Sequence, residues 1–137
     1  MNNAETEPEE LTEAGAETEP APDWGQDLKL RTKSFALRII RMYAALSKET
    51  VAQVLGKQVL RSGTSVGANY REANRGRSKA EFIAKMGDCL KELDETEYWL
   101  ELLVESATVP PSKLSSLLDE TGQLTAIFIT IINKAKL

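Results

Sequence analysis

From about Asp27 onward, apolar residues recur at intervals of three and four positions, and no two-residue alternation persists. This spacing places apolar side chains along one side of a helix and argues against strands. Polar or proline-containing breaks near Ser47, Gly76 and Pro110 divide the pattern into four segments. Four amphipathic helices joined by short turns predict an all-α, up-down-up-down antiparallel four-helix bundle.

The first two helices differ in the size of their inner residues. The second helix, predicted over 48–74, is rich in small residues, with Gly63 and Gly67 one turn apart. Glycine costs about 1 kcal/mol against alanine inside a helix, so we expect another backbone to approach there. Ser47 is predicted to be its N-cap. The first stripe is Leu28, Phe35, Ile39, Met42 and Leu46, with Ile40 and Tyr43 beside it; the second is Val51, Leu55, Val59, Ser62, Val66 and Ala73.

The third helix has the most regular stripe, with alternating steps of four and three residues. Such a heptad pattern is typical of knobs-into-holes packing. Pro110 and Pro111 end this helix and begin the fourth, because proline is tolerated in a first turn. The third stripe is Phe82, Met86, Cys89, Leu93, Thr96, Leu100, Leu103 and Ala107; the fourth is Leu114, Leu117, Thr121, Leu124, Phe128 and Ile131.

The turn between the second and third helices lies within "GANYREANRGRSKAEF", residues 67–82. Ser78 and Glu81 form an S-x-x-E capping box that starts the third helix. Gly76 is predicted to end the second helix in the left-handed conformation. The turn lacks the G-x-x-x-x-G-K-[ST] pattern of a phosphate-binding loop. Its cations either satisfy carbonyls at the helix end or form a phosphate-contacting patch; they are Arg71, Arg75, Arg77 and Lys79.

A second stripe on the second helix is polar rather than apolar. Antiparallel pairing about a turn centred between Gly76 and Arg77 places Arg61 opposite Glu92 and Gln58 opposite Glu95. We therefore predict a partly buried network that fixes the register of the two helices, and whose loss destabilises the fold by several kcal/mol. The stripe consists of Gln58, Arg61 (or Ser62), Ser65, Asn69 and Glu72.

Charge is unevenly distributed over the 137 residues, a length that suits one domain. Residues 1–25 hold eight of the 21 acidic residues and no basic one, which leaves 13 acids against 17 bases, a net +4, in residues 26–137. The acidic segment has few apolar residues to bury, so we predict a disordered tail over 1–25 and a bundle domain over 26–137. The tail is either a solubilising extension or an internal polyanion mimic that shields the basic body.

Composition also limits the chemistry. The chain has no histidine and a single cysteine, Cys89, which excludes Cys–His catalysis, the usual zinc sites and di-iron bundle sites that need E-x-x-H. Cys89 is predicted to be a small core residue. We expect no enzyme activity, no metal and no cofactor. No basic stub with an apolar run and no apolar stretch of about 18 residues occurs, so a cytoplasmic protein that does not cross a membrane is expected.

Two stretches resemble a known family. "QVLRSGTSVGANYREANRGRSKAEFIAKMGDCLKELDETEYWLELL", residues 58–103, and "RTKSFALRIIRMYAAL", residues 31–46, are similar to the four-helix bundle proteins named for the intervening sequences of bacterial 23S ribosomal RNA genes. The resemblance implies a bundle that assembles into a homopentameric ring, and it implies no known activity. A related branch of accessory proteins of diversity-generating retroelements binds a reverse transcriptase and nucleic acid.

Oligomerisation is also expected from the second and third helices, which carry apolar or small residues on more than one side. Aromatic residues are enriched at subunit interfaces. Ordinary core packing is the alternative for Tyr98 and Trp99. The candidate interface residues are Gly63, Gly67, Tyr70, Tyr98 and Trp99.

Two functions remain open at this level. The first is an oligomeric module that binds RNA or other nucleic acid through Arg71, Arg75, Arg77 and Lys79, with Arg31, Arg38 and Arg41 added. The second is a protein-interaction scaffold for a partner such as a reverse transcriptase, in which case these charges serve solubility.

Overall fold

The computed structural model describes residues 24–137, with side chains from Asp27 onward. Within that range the chain forms four α-helices and no strand, which confirms the predicted fold class. The predicted disordered tail lies outside the described residues except for Trp24 and Gly25, which begin the first helix. No helix in the described part is long and apolar enough to cross a membrane. The helices are α1 (Trp24–Ala45), α2 (Thr50–Asn74), α3 (Lys79–Glu105) and α4 (Pro111–Lys136).

Each helix packs mainly against its neighbours in sequence, α1 on α2, α2 on α3 and α3 on α4. The inner stripes meet in one core in which Phe35, Leu93 and Phe128 are almost completely buried. Tyr70 packs edge-on against Phe128, with ring centroids 5.8 Å apart. In contrast, α1 and α4 approach closely at very few points. The bundle is therefore open along α1 and α4.

The inner face of α2 differs from the predicted one at its start. Val51 is 55% exposed, and Ala52 and Gly56 take the inner positions. The helix packs tightly on α1 because these inner residues are small. A Cβ atom added to Gly63 would lie 2.8 Å from Cγ1 of Ile39. The glycines of α2 therefore serve close packing against α1. The predicted approach of a backbone is seen at Gly67, where an added Cβ would lie 3.6 Å from the Thr32 carbonyl carbon, whereas Gly63 meets the Ile39 side chain.

The helix ends confirm one predicted cap and contradict another. Ser78 is the N-cap of α3, and its hydroxyl accepts a hydrogen bond from the Glu81 amide at 3.1 Å. The prediction for Ser47 is wrong: α2 has Glu49 as its N-cap, without a side-chain cap. The Ser47 hydroxyl instead accepts a hydrogen bond from the Glu49 amide at 3.3 Å, within the turn.

The left-handed residue of the fold is not Gly76, as predicted, but Ala107. Among the described residues Ala107 alone combines a side chain with a positive φ, 61°, and no glycine has a positive φ. The amides of Ala107 and Thr108 donate to the carbonyls of Val104 and Leu103, the Schellman pattern of a helix end. Ala107 consequently leaves the predicted stripe of α3, which ends at Glu105.

Candidate nucleic-acid interface

The turn between α2 and α3 presents four cations at one end of the bundle. We refer to Arg71, Arg75, Arg77 and Lys79 as the basic corner; all four side chains are exposed. Arg71 lies in the last turn of α2, and Lys79 is the first residue of α3. The chain reverses between them, so these charges lie together at the end of one helical hairpin.

The carboxylates of Glu72 and Glu81 beside the basic corner bond to groups other than its cationic side chains. Glu72 Oε1 accepts a hydrogen bond from the Lys85 ammonium, whose Nζ lies 2.6 Å away, and this hydrogen bond raises the pKa of Lys85. Glu81 accepts the backbone amide of Arg77 at 2.7 Å. Within residues 27–137, no ion pair involves a cation of the basic corner. The four cations of the corner therefore outnumber the two neighbouring carboxylates, of which Glu72 is already paired with Lys85.

The fold adds one cation that the sequence pattern did not single out. Lys33 on α1 and Arg71 on α2 line the same small cleft of about 270 Å³. The two helices come close here because Gly67 faces Thr32, whose Oγ1 would lie 3.2 Å from an added Cβ. The sequence indicated that Gly67 allows close packing, but it did not indicate that Thr32 of α1 packs there.

Arg31 does not join the unpaired cations. Its Nε and Nη2 donate to the two carboxylate oxygens of Glu120 at 2.7 and 2.9 Å. This hydrogen bonding, opposed by partial burial, raises the pKa of Arg31. The pair bridges α1 and α4 across the open side of the bundle.

Arg38 and Arg41 lie at the other end of the molecule from the basic corner. Both line a cleft of about 470 Å³ beside the start of α4, where Nη2 of Arg38 donates to Ser116 Oγ at 2.8 Å. The corner instead adjoins the start of α1. Arg38 and Arg41 therefore form a group apart from the corner, because α1 runs the length of the bundle between them. Nucleic-acid binding by the seven cations stays a prediction.

The polar stripe of α2 makes a smaller network than predicted. Arg61 contacts Glu92 at 3.5 Å and Glu95 at 2.5 Å, but its side chain is 51% exposed. Burial and the neighbouring Glu95 raise the pKa of Glu92 despite Arg61. Glu72 does not join this network, since it pairs with Lys85.

The other members of the stripe lie around this ion pair. Gln58 Oε1 accepts from Arg61 Nη2 at 3.5 Å, and Ser65 Oγ donates to the Arg61 carbonyl at 2.7 Å. Asn69 lies about two turns after Arg61 on α2 and is half-buried. The fully buried polar contact between α2 and α3 is instead Ser62 with Thr96, whose hydroxyl oxygens are 2.7 Å apart.

Three of the five candidate interface residues lie inside the protomer. Gly63 and Gly67 are buried where α1 packs on α2, and Tyr70 is only 3% exposed. Their assignment to a subunit interface is therefore wrong. Tyr98 is 54% exposed and packs edge-on against Trp99. The indole Nε1 of Trp99 is buried without a hydrogen-bond partner among the described residues.

The family model of the 23S rRNA-intervening sequence protein matches residues 26–130. The chain belongs to this family. Among solved structures, it is similar to a protein of unknown function from the S23 ribosomal protein family of Bacteroides thetaiotaomicron VPI-5482. The two are 40% identical with a TM-score of 0.75, over 80% of this chain and 97% of that one. None of the curated proteins with which the sequence was compared is similar to it.

The match to the 23S rRNA-intervening sequence proteins includes all of α2 and α3 and therefore the whole basic corner. It also includes the cleft that contains Arg38 and Arg41. The Bacteroides relative is of unknown function, so the similarity to it concerns the fold and indicates no activity.

Proposed function

We propose that this 23S rRNA-intervening sequence protein is a non-enzymatic module that binds phosphate groups of structured RNA through its basic corner. The observation that carries the proposal is the set of four exposed cations, none of which forms an ion pair within residues 27–137. Lys and Arg at such a surface bind phosphates and release the counterions around them. Phosphate contacts of this kind position a protein without reading base sequence.

The alternative role of the corner, as a cap for α2, has less support. The carbonyls of Glu72 and Ala73 are already bonded to the backbone amides of Arg75 and Gly76, at 3.1 and 3.0 Å. Two of the last four carbonyls of α2 therefore need no arginine side chain as a donor. The positive amino terminus of α3 and the negative carboxyl terminus of α2 meet at this turn, so the side-chain charges supply the attraction for an anion.

We also propose that the protein acts as a homo-oligomer, with the pentameric ring implied by the sequence resemblance. Val51, Val54 and Tyr98 support assembly, because each is a large apolar or aromatic residue more than half exposed. Repeating the basic corner around a ring would convert weak contacts into avid binding, provided that one RNA reaches several corners at once.

The test is fluorescence-anisotropy titration of a labelled structured RNA with the full chain at low and moderate salt. Wild type is compared with Arg71→Gln/Arg75→Gln/Arg77→Gln. The matched control is Arg38→Gln/Arg41→Gln/Lys113→Gln, which removes the same charge at the opposite end of the bundle. We expect binding to weaken steeply with salt, and the corner variant to lower the log–log salt slope by roughly one for each phosphate that it no longer binds.

The control variant is expected to retain both its affinity and its salt slope. An equal reduction in the two variants would indicate attraction to net charge and would refute a site at the corner. No binding by the wild type would reject the RNA function and leave a protein partner as the next candidate.

A further inference from the structure

A second surface, separate from the basic corner, lies where α1 and α4 diverge. We call it the α1–α4 cleft. Its volume is about 470 Å³, within the range of roughly 300–1,000 Å³ typical of binding sites. Met42, Leu46, Leu114 and Leu117 provide an apolar lining. The cleft exists because α1 and α4 meet at so few points.

The charge of the α1–α4 cleft has one sign. Three of its lining residues are cations, Arg38, Arg41 and Lys113, and no lining residue is acidic. The amino terminus of α4 adds to this field, since its N-cap, Pro110, makes no side-chain cap. An occupant should therefore carry several negative charges around at least one apolar side chain.

We propose that the α1–α4 cleft binds the acidic amino-terminal segment of the same chain, around Leu11. This leucine lies between Glu9, Glu10 and Glu13 in the stretch "EPEELTEA". Leu11 fits the apolar lining, and the flanking carboxylates match the three cations. The sequence left open whether the acidic segment shields the basic body; the cleft supplies a location for it, away from the basic corner.

Chain length allows this contact and divides the acidic residues into two groups. Arg41 lies 17 residues along α1 from Trp24, a rise of about 26 Å at 1.5 Å per residue. The 13 residues from Leu11 to Trp24 span about 43 Å when extended, so they reach the cleft with slack. From Glu17 the extended span is about 23 Å, which reaches Arg38, 14 residues and about 21 Å along α1. From Glu19 the span is only about 17 Å, and Asp23 is adjacent to Trp24, so these two acids do not reach the cleft.

The route to the α1–α4 cleft passes apolar residues that the bundle leaves uncovered. Leu30 and Leu37 are 58% and 42% exposed. They are seven residues apart and share one face of α1 with Arg41, four residues further on. A segment that runs from Trp24 to the cleft along this face would cover both leucines.

The first test records amide NMR spectra of the isotope-labelled full chain. One variant, Glu9→Gln/Glu10→Gln/Glu13→Gln, neutralises the acids that flank Leu11. The control, Glu19→Gln/Asp23→Asn, neutralises two acids whose chain span to Trp24 is too short to reach the cleft. We expect the first variant to shift amide signals of α4 from Lys113 to Leu117 and the control to leave them in place. Added salt should shift the wild-type signals in the direction of the first variant.

Three results would overturn the proposal. Unchanged cleft signals in both variants would show that the segment does not bind there. Equal shifts in both would indicate diffuse attraction between charges. Shifts confined to the basic corner would place the segment at the other end of the bundle.

The second test locates the segment covalently by oxidising paired cysteines. Thr12→Cys, which leaves Leu11 in place, is combined with Ala45→Cys, since Ala45 is exposed and lines the α1–α4 cleft. The control pairs Thr12→Cys with Ala68→Cys, an exposed alanine of α2 nearer the start of α1. A disulfide within one chain should form faster with Ala45→Cys. Faster bonding to position 68 would refute the cleft as the site, and bonds only between chains would assign the cleft to another copy's segment.

Discussion

Ser62 Oγ and Thr96 Oγ1 lie 2.7 Å apart in the centre of the α2–α3 contact, and neither residue has any exposed surface. Thr96 also donates to the carbonyl of Glu92 at 2.8 Å. A buried hydroxyl without a hydrogen-bond partner costs free energy, and here each hydroxyl is the partner of the other. This pair fixes α2 against α3 from inside the bundle, while the Arg61 ion pairs do so from the surface.

A double-mutant cycle measures that relationship. Thr96→Val should lower the free energy of unfolding by about 1–3 kcal/mol, since Ser62 loses its 2.7 Å partner in the core. Ser62→Ala should cost less, about 0.5–1.5 kcal/mol, because Thr96 keeps its hydrogen bond to the Glu92 carbonyl. The double variant should be destabilised by less than the sum, because both hydroxyls are then absent. Urea denaturation of the four proteins gives the coupling energy. Strict additivity would show that the two hydroxyls act independently.

The glycines of the helices divide into two classes. Gly63→Ala should destabilise the protein by about 1–3 kcal/mol, because its Cβ would lie 2.8 Å from Cγ1 of the buried Ile39. Gly122→Ala is the control, since nothing lies within 4 Å of an added Cβ there. It should stabilise the protein by about 0.5–1 kcal/mol through helix propensity. Thermal melts of both variants check the prediction, which would fail if Gly63→Ala raised the melting temperature.

Ala107 occupies a position where glycine is favoured. Its φ of 61° costs an L-residue about 1–2 kcal/mol relative to glycine. We expect Ala107→Gly to stabilise the protein by about 0.5–1 kcal/mol after the added entropy of the unfolded chain is subtracted. Ala84→Gly, at an exposed position inside α3, should instead cost about 1 kcal/mol. Denaturation midpoints that fall in both variants would contradict the left-handed assignment.

The two arginine ion pairs should differ in their effect on stability. Arg31→Ala removes a two-point contact with Glu120, whose side chain is only 15% exposed, and should cost about 1.5–3 kcal/mol. Arg61→Ala should cost only about 0.2–1 kcal/mol, since the Arg61 side chain is 51% exposed. Chemical denaturation at low and high salt checks the order, and salt should weaken the Arg61 contribution more. A larger destabilisation in Arg61→Ala would restore the sequence-based prediction of a buried network.

Cys89 should be unreactive in the native protein. Burial, with a smaller contribution from Asp88, raises the pKa of its thiol to about 12. At pH 9 the thiolate is then about one thousandth of the total, whereas most of an ordinary thiol is ionised there. Labelling with a thiol reagent should be slow in buffer and fast in denaturant. Rapid labelling of the folded protein would show that α2 and α3 separate readily.

How much of the fold the sequence predicts depends on how local the signal is. The Ser78–Glu81 cap was predictable because both partners lie within one turn. The position of Val51 was not, since exposure at the start of α2 depends on where α1 lies. Likewise Gly76 met the local requirement for a left-handed residue, yet the positive φ is at Ala107.

The candidate site shows the same division. Arg71, Arg75, Arg77 and Lys79 are close in sequence, so their clustering needed no tertiary information. That these cations form no ion pair among the described residues could be seen only in the tertiary structure, because there Glu72 pairs with Lys85 on the next helix.

The sequence by itself determined the four helices, their order and the basic corner, because helical period and turn residues act over a few positions. Only the tertiary structure decided the rest. It separated Arg38 and Arg41 from the corner by the length of α1, buried Gly63, Gly67 and Tyr70 within the protomer and opened the α1–α4 cleft. These features depend on the distance and rotation between helices, which are set by packing of residues remote in sequence.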